Sequence, residues 1–83
     1  MRCNITTDAH SVHLVFEVAS SIDHLSIILY NSVGQPVLQK NLDAVSEGVY
    51  QENLDLTTDI SKGLYLLQLK GGSETITQKI LLN

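Results

Sequence analysis

The sequence predicts a small all-β protein folded as an antiparallel sandwich. Apolar residues alternate with more polar ones over several short runs, as in Val12-His13-Leu14-Val15-Phe16-Glu17-Val18, and this is the period of a half-buried strand. Turn residues separate these runs about every 8–12 residues, which is typical of a sandwich. The nearest candidate for a helix, Thr57–Lys62, is one turn at most.

The first half of the chain predicts four strands. A short strand over Asn4–Thr7 precedes the one that contains Val12–Val18, and Ser20–His24 then interrupts the pattern. The next strand, Leu25–Tyr30, is apolar on both faces, which predicts a central position in a sheet. Val37–Leu42 forms the fourth, after a turn.

Two residues near that turn have special backbone requirements. Asn31-Ser32-Val33-Gly34 reads as a tight turn in which Gly34 takes a positive φ. Pro36 lacks an N–H donor, so it is expected at the start of a strand or on an edge. Asp43–Gly48 is predicted to be a polar connection.

The second half predicts three more strands, which brings the total to about seven. Tyr50, Leu54 and Leu56 share one face with Glu52, the single polar interruption of that face. Thr57–Gly63 is predicted to be a loop. The last two strands form a hairpin around Gly71-Gly72. Their inward residues are predicted to be Tyr65, Leu67 and Leu69, followed by Ile76, Ile80 and Leu82.

Length and composition predict one domain over residues 1–83 and exclude several function classes. The net charge of −4 and five scattered basic residues argue against a nucleic-acid surface, which needs clustered Lys and Arg. One cysteine, Cys3, excludes an internal disulfide framework and a cysteine-based zinc site. No apolar run approaches the roughly 18 residues that a membrane span requires, and the N-terminus lacks the apolar region of a signal peptide.

We expect no catalytic residue, no cofactor and no metal site. The sequence has no Gly-x-Ser-x-Gly elbow and no Gly-rich phosphate loop, and we identify no internal repeat. His10 and His13 straddle the start of a strand, where their spacing places them on opposite faces. The acids in the loops match no calcium-binding pattern. These polar residues are therefore interpreted as solvated surface.

Three motifs, taken in order, resemble a known family. They are Leu25–Val37, with its turn glycine Gly34; the polar loop that ends in Gly63-Leu64-Tyr65; and the final run Lys79-Ile80-Leu81-Leu82-Asn83. The chain from about residue 12 to residue 83 resembles the type A C-terminal sorting domain of proteins exported by the type IX secretion system of Bacteroidetes. Family members often end on a basic residue, whereas this chain ends on Asn83.

The resemblance implies a seven-stranded immunoglobulin-like sandwich that serves as the export signal of a larger precursor. A covalently linked N-terminal passenger would cross the periplasm and then leave through the type IX translocon of the outer membrane. A sortase-like peptidase would remove the domain, and the passenger would reach the cell surface or the medium. The last strand, which ends with the chain, is expected to be offered to a partner, and its edge could also pair two copies.

The motif residues are expected to divide into two groups. Gly34, Gly63 and Tyr65 shape the structure, while Lys79 and the last strand (Ile80, Leu81, Leu82 and Asn83) contact the partner by strand addition or through charge. The alternative functions are an immunoglobulin- or fibronectin-like spacer, or a carbohydrate-binding module, of a secreted protein. A sugar-binding module needs exposed aromatic residues on one face, and the chain has four aromatic residues and no tryptophan.

Overall fold

Seven antiparallel strands make up the fold. The computed structural model describes residues 1–8, 10–56 and 60–82, and no helix occurs among them. The strands are β1 (Arg2–Thr7), β2 (Ser11–Val18), β3 (Ile22–Tyr30), β4 (Pro36–Val45), β5 (Gly48–Asp55), β6 (Gly63–Gly71) and β7 (Glu74–Leu82).

The strands form two sheets, one of three strands in the order β1-β2-β5 and one of four in the order β4-β3-β6-β7. This division of seven antiparallel strands is that of an immunoglobulin-like sandwich in which the fourth strand lies beside the third. The prediction of an all-β sandwich with about seven strands is confirmed. The predicted central strand, β3, lies between β4 and β6, as expected from its two apolar faces.

The core fills the space between the two sheets. Alternate residues of β2, of β6 and of most of β3 are buried there, and the largest fully buried side chain, Phe16, is 1% exposed. Phe16 also stacks on Tyr50 of the neighbouring strand, with ring centroids 5.5 Å apart. Glu52 is the predicted polar interruption of the inward face of β5, and its carboxylate binds the Lys40 ammonium at 2.6 Å. The ion pair closes the side of the sandwich where β5 faces β4.

Two strands extend three residues beyond their predicted boundaries. β3 begins at Ile22 rather than Leu25, and β4 continues to Val45 through the segment predicted to be a polar connection. The reason is that Ile22 and Val45 are paired and both buried. Asp43 interrupts the apolar pattern without ending the strand, because its side chain is exposed. Pro36 occupies the first position of β4, an edge strand, as predicted.

The hairpin turn between β6 and β7 lies one residue later than predicted. Gly71 pairs with Glu74 as the last residue of β6, so the turn consists of Gly72 and Ser73. Gly72 takes a φ of +58°, which glycine adopts without strain. Gly71 is required for another reason. A Cβ at Gly71 would lie 2.8 Å from Leu25 Cδ1, so the glycine provides space for the core.

We expect Gly71→Ala to destabilise the protein by about 1–3 kcal/mol, the usual range for overpacking a core. Leu25 is fully buried, and two methyl groups of Ile22 also lie 3.1 and 3.2 Å from the position of the added Cβ, so several core side chains would have to move. Urea unfolding measures the change. Lys70→Ala, at the adjacent exposed position, is the control and should change stability by less than about 0.5 kcal/mol. Equal stability of Gly71→Ala and the wild type would show that the core is looser than the structure indicates.

Candidate recognition site

The three motifs, which are distant in sequence, meet at one end of the sandwich. Strand β6 pairs with β3, where Leu66 lies opposite Tyr30, and with β7, where Gly63 lies opposite Leu82. The end of β3, the start of β6 and the end of β7 are therefore neighbours. We call this the motif end. The opposite end holds the start of β1 and the β6–β7 turn, where the amino group of Met1 lies 3.1 Å from Glu74.

The turn that contains Gly34 is rigidly built at the motif end. Asn31 Oδ1 accepts hydrogen bonds from the N–H groups of Val33 (3.1 Å) and Gln35 (2.9 Å), and the Gly34 N–H donates to the carbonyl of Asn31 at 3.0 Å. Gly34 takes a φ of +86°, and a Cβ built there would meet nothing within 4 Å. The glycine is thus required by the backbone conformation, and the turn presents Val33 to solvent at 76% exposure.

Gly63 and Tyr65 organise the start of β6. Gly63 has a φ of +144°, a value that favours glycine. The Tyr65 ring is buried, and its hydroxyl donates to the carbonyl of Ser61 at 2.6 Å. A tyrosine near the start of the sixth strand that bonds back to the preceding loop is the tyrosine corner of immunoglobulin-like sandwiches. Leu64, between these two residues, is 49% exposed.

The Tyr65 arrangement has a second copy that the sequence analysis missed. Ser46–Tyr50 and Ser61–Tyr65 both read Ser-x-Gly-x-Tyr. In each copy the glycine has a positive φ, the tyrosine hydroxyl donates to the serine carbonyl, and the residue before the tyrosine is exposed. The signal in the sequence is a five-residue motif that occurs twice, and this motif is much shorter than the repeating units of repeat proteins. The first copy begins β5, at the opposite end of the sandwich.

The last strand divides its residues between the core and solvent. Ile80 and Leu82 are 5% exposed, whereas Leu81 is 58% exposed and lies opposite Leu64. Lys79 is exposed and lies opposite Leu66. Asn83 lies outside the described residues. Of the residues expected to contact a partner, Lys79 and Leu81 are on the surface, while Ile80 and Leu82 are part of the core.

A groove of about 500 Å³ lies between the Gly34 turn and the start of β6. One wall is formed by residues 31–33 and Val37, and the other by residues 60–65. The exposed side chains of Val33 and Leu64 give this groove apolar edges. We call it the motif groove. Two of the three motifs line it, and Leu81 of the third adjoins it through Leu64.

A hydrogen-bonded cluster around His13 lies near the same end, on the three-stranded sheet. His13 Nε2 is 2.9 Å from Asp8 Oδ2, and Nδ1 is 2.6 Å from Asn53 Oδ1. The same Asp8 carboxylate accepts hydrogen bonds from the backbone N–H groups of His10 and Ser11, both at 2.8 Å. The cluster holds the β1–β2 turn against β2 and β5.

These contacts shift two pKa values in opposite directions. Hydrogen bonds to Asn53 and then to Asp8 raise the pKa of His13, and the hydrogen bond from His13, assisted by the backbone of residue 10, lowers the pKa of Asp8. Both imidazole nitrogens act as donors when His13 is charged. Ser11 Oγ lies 3.0 Å from Asp8 and can donate its proton to that carboxylate. Because both nitrogens of the charged His13 already carry protons, the charged His13 cannot act as a base toward the Ser11 hydroxyl.

The sequence predicts that His10 and His13 lie on opposite faces of a strand, and the structure gives a more specific arrangement. His10 lies before the start of β2 and His13 lies on it, so they do not share a strand face. His13 is hydrogen-bonded rather than merely solvated. No group of three or more His, Cys, Asp or Glu side chains is arranged to hold a metal ion within residues 1–8, 10–56 and 60–82.

The family model described as the secretion system C-terminal sorting domain matches residues 7–83. The chain belongs to this family. The match includes the Gly34 turn, the start of β6 and the last strand, which are the segments that the fold brings to the motif end. Domains of this family act as the C-terminal secretion signals of larger precursors. These precursors use the type IX machinery and are secreted or exported to the surface.

No curated protein and no solved structure matches the chain. The assignment of the sandwich as immunoglobulin-like therefore depends on the strand order and on the tyrosine corner of this chain. In the described part of the chain, no helix has the length and apolar character needed to cross a membrane.

We expect the two tyrosine corners to stabilise the fold unequally. Tyr65→Phe should destabilise the protein by about 1 kcal/mol through loss of its hydrogen bond to Ser61, and Tyr65→Ala by about 3–5 kcal/mol because it leaves a cavity. Tyr50 is only half-buried, so Tyr50→Ala should cost less than Tyr65→Ala. Urea midpoints measure all three. A shift worth less than about 1 kcal/mol for Tyr65→Ala would contradict the burial of this ring.

We expect the His13 cluster to make stability depend on pH. Because its pKa is raised on folding, His13 contributes stability that is fully present below about pH 6.5 and is lost as the pH rises through the raised value. Asp8, with a lowered pKa, contributes above about pH 4 and loses its contribution as the pH falls. The difference in unfolding midpoint between the wild type and His13→Gln should be largest near pH 5.5 and smaller at pH 9. His10→Gln is the control, and an unchanged difference across this range would contradict the cluster.

Proposed function

We propose that this domain is a non-catalytic export signal that routes a larger precursor through the type IX translocon. The single observation that best supports this proposal is the convergence of the three family motifs at the motif end. Motifs that served folding alone would need no common surface. Here each motif has buried and exposed residues side by side. Tyr65 is buried and Leu64 is exposed, and in the same way Leu82 is buried and Leu81 is exposed.

We further propose that the translocon reads the motif end, which comprises the motif groove, Leu64, Leu81 and Lys79. A precursor enters the domain at β1, and β1 begins at the opposite end of the sandwich. The passenger is therefore kept away from the proposed contact surface, and the molecule is 35 Å along its longest axis. This separation would allow the same signal to work with different passengers. Passage through the periplasm and removal by a sortase-like peptidase complete the proposed route.

The positions of the aromatic residues weigh against a carbohydrate-binding module. Phe16 and Tyr65 are in the core, and Tyr30 and Tyr50 are half-buried on different sheets. These are all the aromatic residues of the chain, and they do not form the exposed platform on which sugar rings stack. The spacer remains the alternative to an export signal, and it predicts that the motif end is exchangeable surface.

We expect polar substitutions at the motif end to reduce export without unfolding the domain. A reporter would carry a signal peptide, a passenger and this domain with its upstream linker, in a host with the type IX machinery. The variants are Leu64→Thr and Leu81→Thr, which keep a strand-forming residue at exposed positions. Val49→Thr is the matched control, because Val49 has the place of Leu64 in the second Ser-x-Gly-x-Tyr copy, at the opposite end.

The proposal predicts that the wild type and Val49→Thr reach the surface or medium, that both leucine variants accumulate inside the cell, and that a translocon-deficient strain exports none of them. Deletion of residues 81–83 is a poorer test, because it also removes the buried Leu82. Equal export from both strains would refute routing by the translocon and favour the spacer. Normal export of both leucine variants would refute the motif end as the surface that is read.

A further inference from the structure

We propose that the free edge of β7 takes up an extended, acidic segment of a partner protein as an added strand. This inference rests on the proposed function and names the chemistry of the partner, whose strand would lie along β7 and reach the motif end. It depends on three observations: unpaired backbone groups along β7, a one-sided charge on the outer face of the β6–β7 hairpin, and apolar residues at the motif end of that face.

The register of the hairpin shows which backbone groups are unpaired. Gly71 and Glu74 close a two-residue turn and so form a hydrogen-bonded pair, and such pairs alternate with non-bonded ones along the hairpin. The N–H and C=O groups of four residues therefore point away from β6. These residues are Thr75, Thr77, Lys79 and Leu81. No described strand is hydrogen-bonded to β7 on that side. β1 packs near β7 but is paired with β2 instead, so the backbone groups of this row are unpaired and can bind a partner strand.

The outer face of the hairpin carries positive charge in an acidic chain. Its outward side chains are Leu64, Leu66, Gln68 and Lys70 on β6 and Thr75, Thr77, Lys79 and Leu81 on β7. The face thus has two lysines and no acid, although the chain has a net charge of −4. Neither lysine forms an ion pair with any described residue, whereas Lys40 is paired with Glu52. Charge complementarity therefore favours an acidic partner.

The apolar residues of the same face lie toward the motif end. Leu64 lies opposite Leu81, and Leu66 lies between Tyr30 and Lys79. A strand added beside β7 would place its alternate side chains next to Thr75, Thr77, Lys79 and Leu81. The expected segment therefore carries an acid level with Lys79 and an apolar residue level with Leu81.

Binding of peptides as long as β7, nine residues, tests the chemistry directly. Three probes share an alternating Thr/Val sequence in which two threonines are replaced by Glu, by Gln or by Lys. The Glu peptide should shift the NMR signals of the Thr75, Thr77, Lys79 and Leu81 amides and should bind less tightly at higher salt. Lys79→Glu should weaken its binding about three- to tenfold, consistent with exposed charge pairs, and should improve binding of the Lys peptide.

A proline variant separates strand addition from a purely charged contact. Thr77→Pro removes an N–H that points to the free edge and leaves the pairing with β6 intact, so the domain should fold and binding should be lost. Gln78→Pro, which removes a bond to β6, should instead unfold the hairpin. Equal binding of the Glu and Lys peptides, or normal binding to Thr77→Pro, would overturn the proposal. Shifts of the same amides that depend on domain concentration without peptide would assign the edge to a second copy and also overturn it.

The export reporter distinguishes failure of this inference from failure of the proposed function. If the wild-type reporter does not depend on the translocon, the proposed function is wrong. If the wild type depends on it but Thr77→Pro and the double variant Lys70→Glu/Lys79→Glu are exported normally, the proposed function stands and the acidic added strand is wrong. The proposal predicts translocon-dependent export of the wild type and a loss of export in both variants.

Discussion

Strand β6 is the element on which the rest of the arrangement depends, because it pairs with β3 on one side and β7 on the other. Its buried residues, Tyr65, Leu67 and Leu69, fix the register, since a slip by one residue would turn all three to solvent. That register sets Leu66 between Tyr30 and Lys79. Core packing thus brings the three distant segments to one end, where their exposed residues form a common surface.

The same register separates residues that maintain the fold from residues that a partner can reach. Within the hairpin the two classes alternate, so that Leu64 and Leu81 are exposed beside the buried Tyr65 and Leu82. A recognition surface built on alternate residues of paired strands is rigid before binding, which lowers the entropy lost on association. The Gly34 turn adds rigidity through the Asn31 side chain, which caps it from inside.

The sequence predicted the strands well because their inward residues alternate without interruption, as in Val12–Val18. It was less reliable where one position serves two purposes. Asp43 was interpreted as the start of a connection, yet it is an exposed residue in a strand that buried Val45 continues. Gly71 was interpreted as a turn residue, yet Leu25 requires its lack of a side chain. The motif groove and the His13 cluster depend on which strands become neighbours, and no local pattern reports that.

Site-specific photocrosslinking during export tests the central claim most directly. A photoreactive amino acid would replace Leu64 or Leu81 at the motif end, and Val49 at the equivalent position of the opposite end, in an otherwise unchanged reporter. The account predicts crosslinks to a component of the type IX machinery from positions 64 and 81 and none from position 49. Crosslinks from position 49 alone, or equal yields from all three positions, would contradict the claim that the motif end is the surface that is read.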